Sequence, residues 1–246
     1  MHRGIFFVLF LGGFFVGPSP ARAATCVDPS TLASSTVSIA REFGPEEQRI
    51  ERGVIGVRGT GWFLAPRLIV TAAHVAEAMH LAARDWKEIT IRERESRIAV
   101  PARLLHIAGP GAEKLAVIEL RTPTPASAAL RVRAEPLVAE ERLISIAYPK
   151  GELRYAGGRF AHYGTNALAG MALIEMHDGS DRLVLDHGAS GAPVLDCEGR
   201  VVAVVSTLIT QTIALPTGAV RVSTAWQTPN VVSIPAEPLL NFSGPE

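Results

Sequence analysis

Two stretches of the 246-residue sequence gather residue types that can perform covalent chemistry. In GTGWFLAPRLIVTAAHV, residues 59–75, a hairpin-like pair of apolar runs ends in Thr71-Ala72-Ala73-His74, which sets an imidazole where strand gives way to a helical turn. In DHGASGAPVLDCEGRVVAVVS, residues 186–206, the loop Gly188-Ala189-Ser190-Gly191-Ala192-Pro193 packs small or rigid residues around one hydroxyl and then re-enters a strand. Such a loop lets the backbone approach a ligand closely and aims successive N–H groups at one point. A serine hydroxyl gains nucleophilic strength when an imidazole stands within hydrogen-bonding reach, so the chemistry in question is nucleophilic catalysis. Taken singly, each stretch has a plainer reading, a structural His after a strand and a tight turn.

The elements around these residues are short runs of Val, Ile, Leu and Thr broken by Gly, Pro, Asp and Asn. They include VIGVRGTGWFLA, LIVTAA, EITIRE, RIAVPARLLHIA, LAVIEL, RLISIAYP, MALIEM, RLVLD, RVVAVVSTLI and AVRVST. Many short strands with frequent turn signals predict an all-β barrel or sandwich. One stretch, AAHVAEAMHLAARD from Ala72 to Asp85, has the composition and spacing of a helix. The prolines and small residues of RTPTPASAALRVRAEP, residues 121–136, interrupt the strand pattern near the middle and suggest two β halves.

Composition narrows the function. With 48% hydrophobic and 20% charged residues the chain lies in the ordinary globular range. Its 24 basic and 24 acidic residues are spread without long blocks of one sign, which disfavours a nucleic-acid partner. The start, MHRGIFFVLFLGGFFVGPSPARA, has a charged residue, an apolar run from Ile5 to Val16, a Gly17-Pro18 break and Ala21-Arg22-Ala23. This is the layout of a signal peptide over residues 1–23, and the run is short of the roughly 20 residues a spanning helix needs. Cleavage before Ala24 would leave an exported chain with no membrane anchor and a formal net charge of −2, periplasmic or extracellular. Cys26 and Cys197 both survive cleavage, and in an exported protein such a pair is most simply one disulfide, the alternative being two separate thiols.

In this order, and followed by VVAVVS, the TAAH and GASGAP motifs resemble the trypsin-like (chymotrypsin-fold) serine peptidases, closest in form to bacterial trypsin-like and HtrA-type protease domains. The resemblance spans roughly residues 50–210. It implies two six-stranded antiparallel β-barrels with the active site in the cleft between them, assigned to residues 24–130 and 131–246; unlike in the larger HtrA proteins, no following peptide-binding PDZ domain is expected, for want of room in the chain. It implies Ser190 as nucleophile, His74 as general base and then acid, and the Gly188 and Ser190 N–H groups as an oxyanion hole worth on the order of 3 kcal/mol per donor in the transition state. The common family form GDSGGP departs here at Ala189 and Ala192. That Asp pairs with a newly cut N-terminus in zymogen-activated members, so Ala189 implies a different mode of activation.

The third catalytic member departs further. The family sets an Asp directly before an apolar strand, and the matching GAEKLAVIEL puts Lys114 at that position with Glu113 beside it. An ammonium neither accepts a hydrogen bond from His74 nor stabilises an imidazolium. Three readings stay open: Glu113 substitutes, re-aimed by a one-residue bulge; the acid is Asp85, Glu88 or Glu119; or the cleft is inactive and the protein is a peptide-binding pseudo-protease.

The resemblance also implies a primary pocket built near Val184, with His187 on the cleft rim and Ser206, Thr207 and Leu208 along the substrate-lining wall. Val184 suits small or aliphatic side chains, while a shift of register would make Asp186 a selector for Lys or Arg. His106, His162 and His177 match no motif and read as surface residues. No HExxH or CxxC cluster is present, so neither metal nor other cofactor is expected. The expected partner is a polypeptide substrate or peptide ligand, with a secreted esterase-like hydrolase as a third alternative.

Overall fold

The computed structural model describes residues 25–110, 113–124, 128–178, 187–208, 210–215, 218–223 and 229–244, with the side chains of 208, 210–215 and 218–223 left aside. The expected signal peptide and the RLVLD run at 182–186 lie outside the described residues. Fourteen strands are present among these residues: β1 (Thr36–Glu42), β2 (Gly56–Ala65), β3 (Leu68–Ala72), β4 (Lys87–Glu93), β5 (Ser96–Ala108), β6 (Leu115–Leu120), β7 (Arg142–Ala147), β8 (Arg154–Tyr163), β9 (Ala172–His177), β10 (Pro193–Leu195), β11 (Val201–Leu208), β12 (Thr210–Leu215), β13 (Gly218–Ser223) and β14 (Val231–Pro235). The first six close into one antiparallel barrel in the order β1-β2-β3-β6-β5-β4. A second closes in the order β10-β11-β14-β9-β8-β7, and β12 and β13 form a separate hairpin.

Closure follows from the strand pattern. In β4, Ile89 and Ile91 are buried while Glu88 is exposed, the two-residue period of a sheet with one wet face. All of β6, Leu115 to Leu120, is buried, because it runs between β3 and β5 with the second barrel beyond it. A single apolar cluster runs from Val37, Ile39, Trp62, Leu115 and Ile118 into Ile146, Leu195, Val204 and Ile234 of the second barrel. A smaller cluster, including Phe160, Ile174, Met176, Ala189, Ala192 and Val194, fills the second barrel's own interior. The barrels therefore share a continuous core, which fixes their mutual position and with it the cleft.

The helix predicted from Ala72 to Asp85 is shorter. Helix α2, after α1 (Pro45–Ile50), covers Ala73–Ala78 only. His80 takes a left-handed backbone, φ 55°, its ring stacks on Phe43 at 5.0 Å, and its Nε2 lies 3.0 Å from Glu51. These side-chain contacts pull the chain out of the helical path while the alanine-rich composition still favours it.

Cys26 and Cys197 form the expected disulfide, across a separation of 171 residues. The Val27 N–H donates to the Cys197 carbonyl at 2.9 Å and so extends the junction. The turn carrying Cys197 is held by Asp196, which is buried and accepts from the Glu198 N–H at 3.0 Å and the Arg200 N–H at 2.9 Å. Buried Arg133 joins Asp196 to Glu141 and holds the Glu141 carboxyl below the usual carboxylate range. Cross-links closing long loops restrict the unfolded chain most, so the Cys26→Ala/Cys197→Ala double variant should lose about 2–4 kcal/mol of unfolding free energy. Urea denaturation without reductant measures this, and an unchanged midpoint would show that the N-terminal tether adds nothing.

Candidate active site

His74 is the second residue of α2, immediately past the end of β3. Strand β3 pairs with β6 in a register that takes Leu68 to Glu119 and Ala72 to Leu115 without a shift. The Ala73 N–H continues this ladder, donating to the Lys114 carbonyl at 2.8 Å. One further step on each chain sets His74 against Glu113, and the side chains meet: His74 Nδ1 lies 3.5 Å from Glu113 Oε2. That is ion-pair reach, longer than the ordinary hydrogen bond of about 2.9 Å. Neighbouring residues of an extended chain face opposite ways, and Lys114 turns to the other side, its Nζ donating to the Gly109 carbonyl at 2.6 Å. The expected bulge is absent from the β3–β6 ladder: Glu113 and Lys114 precede the first paired residue of β6, and the register alone brings Glu113 to the imidazole. The alternative acids stand elsewhere. Glu119 is buried between Arg67 and Arg103, and Asp85 and Glu88 are exposed on the first barrel.

Ser206 ties Glu113 to the candidate nucleophile. In the β11–β14 ladder Val205 pairs with Ser233 and Thr207 with Val232, which leaves Ser206 as the extra residue of a β-bulge, a device that re-aims a side chain. Its hydroxyl donates to Glu113 Oε2 at 2.7 Å, and its carbonyl accepts from the Ser190 hydroxyl at 2.8 Å. Ser206 is thus buried and committed to its neighbours. The bond it makes to Glu113 carries no signal in the sequence, because it depends on an irregularity between two strands.

The Ser190 loop is built on four consecutive peptide planes, each with a bonded carbonyl. The His187 carbonyl accepts from the Lys150 N–H at 2.8 Å, Gly188 from the Thr60 hydroxyl at 2.7 Å, Ala189 from the Ala192 N–H at 3.0 Å and Ser190 from the Thr60 N–H at 2.9 Å. In a trans peptide the N–H points opposite to the carbonyl. The first and third bonds therefore fix the directions of the Gly188 and Ser190 N–H groups, and neither has a backbone acceptor among the described residues. Two glycines make this geometry accessible. Gly188 has φ 97° and Gly191 φ 92°, left-handed values that strain other residues. A Cβ on Gly188 would come within 3.0 Å of the Tyr148 carbonyl, and one on Gly191 would run into the Thr60 carbonyl and the Thr71 hydroxyl. Ala189 and Ala192, the departures from the common motif, bury their methyl groups in the second barrel's core.

Of the remaining sequence-derived candidates, His187 is exposed, Val184 and Asp186 lie outside the described residues, and Leu208 ends β11. His106 and His162 are exposed, while His177 is half-buried with its Nε2 3.2 Å from Glu175. A cavity of about 500 Å³ lined by Arg133, Glu135, Val138, Glu141 and Arg200 lies apart from His74 and Ser190 and includes none of the candidate residues.

The sequence model of the family described as "Trypsin-like peptidase domain" matches residues 59–204. The chain is 26% identical over 208 residues to the uncharacterized protein y4bJ of Sinorhizobium fredii (strain NBRC 101917 / NGR234), a match covering 82% of this chain and 29% of that protein, so the chain spans less than a third of that relative. Among solved structures, an inactive mutant form of Rv3671c from M. tuberculosis H37Rv superposes with a TM-score of 0.56 at 18% identity, covering 91% of each chain. A mutant of the HtrA-type protease AlgW, solved with a tripeptide, gives 0.56 at 15% identity over 86% of this chain and 59% of that one. At these identities the likeness is one of fold.

Proposed function

Because the chain belongs to the trypsin-like peptidase domain family, we propose that it is an exported serine endopeptidase that cleaves polypeptides through an acyl-enzyme on Ser190. The observation that carries this reading is the approach of Glu113 to His74 Nδ1, which sets a carboxylate beside the imidazole although the motif position holds Lys114. With Nδ1 turned to Glu113, Nε2 is the ring nitrogen left for a hydroxyl. Ser190 rotates from the Ser206 carbonyl, gives its proton to Nε2 and attacks the scissile carbonyl. The oxyanion is received by the Gly188 and Ser190 N–H groups. Nε2 then protonates the leaving amine, and water repeats the sequence to release the acyl group. Glu113 holds the productive tautomer and stabilises the imidazolium, and the Ser206 hydroxyl in turn holds Glu113. The signal-like N-terminus and the disulfide support export.

One observation favours a second reading. The Ser190 hydroxyl is bonded to Ser206 rather than to His74, as it would be in a same-fold protein that binds peptides without cleaving them. A fluorophosphonate probe separates the two. Native wild-type protein is expected to label, with the adduct mapping to the peptide that contains Ser190 and disappearing after heat denaturation. Absence of labelling in the native protein would leave the peptide-binding reading.

A further inference from the structure

We infer that Thr60 is the positioning residue that carries the shape of the nucleophile loop from one barrel to the other, an inference that rests on the reading of Ser190 as nucleophile. Thr60 lies in β2, in the middle of GTGWF, and is fully buried. All of its polar groups are committed at the barrel junction. Its N–H donates to the Ser190 carbonyl at 2.9 Å, and its carbonyl accepts from the Thr71 hydroxyl at 2.7 Å. Its hydroxyl donates to the Gly188 carbonyl at 2.7 Å and accepts from the Tyr148 N–H at 3.0 Å. A hydroxyl has one proton and two lone pairs, so the proton goes to the loop and a lone pair to the start of the turn that carries Lys150.

The two roles flank the peptide planes of the oxyanion donors. Of the four pinned carbonyls between His187 and Ser190, those of Gly188 and Ser190 are both held by Thr60, alternating with those held by Lys150 and Ala192. Through Tyr148 the same hydroxyl also sets the strand end that delivers the Lys150 N–H to His187. Any side chain in place of Thr60 keeps the backbone bond to Ser190, whereas only a hydroxyl joins Gly188 to Tyr148. Removing it leaves a carbonyl and an N–H unpaired beside the loop, and the 188–189 plane loses its anchor. With Tyr148 released, the turn that presents the Lys150 N–H to the His187 carbonyl also loosens, so the 187–188 plane turns and its Gly188 N–H samples directions away from the developing oxyanion, which acts on turnover rather than on substrate affinity.

The experiment compares Thr60→Val, which keeps the shape without the hydroxyl, with Thr60→Ser, which keeps the hydroxyl. On a peptide that the wild type cleaves, Thr60→Val is expected to lower kcat about 10²-fold with KM within about twofold, and Thr60→Ser to stay close to wild type. Hydrogen exchange is read on the same proteins. The Tyr148 and Lys150 amides and those of Gly191 and Ala192 should exchange faster in Thr60→Val and at the wild-type rate in Thr60→Ser. Should Thr60→Val not fold, Thr60→Ala is the second hydroxyl-free variant, held to the same expectations. Equal kcat in Thr60→Val and wild type, or equal loss in Thr60→Val and Thr60→Ser, would overturn the inference. A wild type without turnover would defeat the peptidase reading, and unchanged exchange in Thr60→Val would separately defeat the anchoring role.

Discussion

Glu113→Gln is expected to lower kcat/KM by about 10⁴-fold, with Lys114→Ala remaining within about tenfold of wild type. Glutamine has nearly the same shape but presents an amide that can donate to Nδ1, so His74 can settle in the tautomer that leaves no basic nitrogen for Ser190. It also removes the negative charge that offsets the imidazolium and weakens the acceptor of the Ser206 hydroxyl. Lys114 is on the opposite face of the same chain segment, bonded to the Gly109 carbonyl, and its loss should loosen that turn without reaching the imidazole. Lys114→Asp is the sharper control. Restoring the family's usual residue should not raise activity, because position 114 does not face His74. Steady-state kinetics on one peptide substrate measure all three. Wild-type turnover in Glu113→Gln, or a gain of orders of magnitude in Lys114→Asp, would remove Glu113 from the mechanism.

Ser190→Ala and His74→Ala should each reduce kcat by about 10⁶-fold, and the double variant should be no slower than either. In the proposed mechanism the two side chains act on a single proton transfer, so once one is gone the other has nothing to exchange with. What survives in each variant is binding and the paired amides of Gly188 and Ser190, whose peptide planes are fixed by backbone bonds and not by the hydroxyl of Ser190. Burst-free turnover measured at high enzyme concentration reads the residual rates. Losses that multiply in the double variant would mean that the two residues work in separate steps.

The sequence made the candidate reacting groups legible and left their supports hidden. TAAH and GASGAP stand out because an imidazole at a strand end and a hydroxyl among small residues are unusual in barrel strands. The apolar runs likewise revealed an all-β chain in two halves, with the two barrels implied by the family resemblance, although β1, β8, β10, β12 and β14 were not among the runs. β8, RYAGGRFAHY, hides behind glycines and charges, and β10 has only three residues, so neither forms a clear apolar run. Both are needed to close the second barrel. Glu113 was one of several candidate acids in the sequence, and its place beside His74 was hidden for a related reason. Motif spacing counts along one chain and selects Lys114, whereas His74 is positioned by counting across the β3–β6 ladder, which selects Glu113. Thr60 was read as part of a hairpin, since its partners Gly188 and Tyr148 are 128 and 88 residues away along the chain.

The shared anchoring of the Ser190 loop also sets when the proposed site is complete. A chain whose first barrel alone is folded has His74 and Glu113 in place but no loop to receive a substrate carbonyl. A chain whose second barrel alone is folded has Ser190 on a segment missing two of its four anchors. The proposed peptidase site is therefore complete only once the barrels dock, and a half-folded copy has no assembled site with which to cut its neighbours.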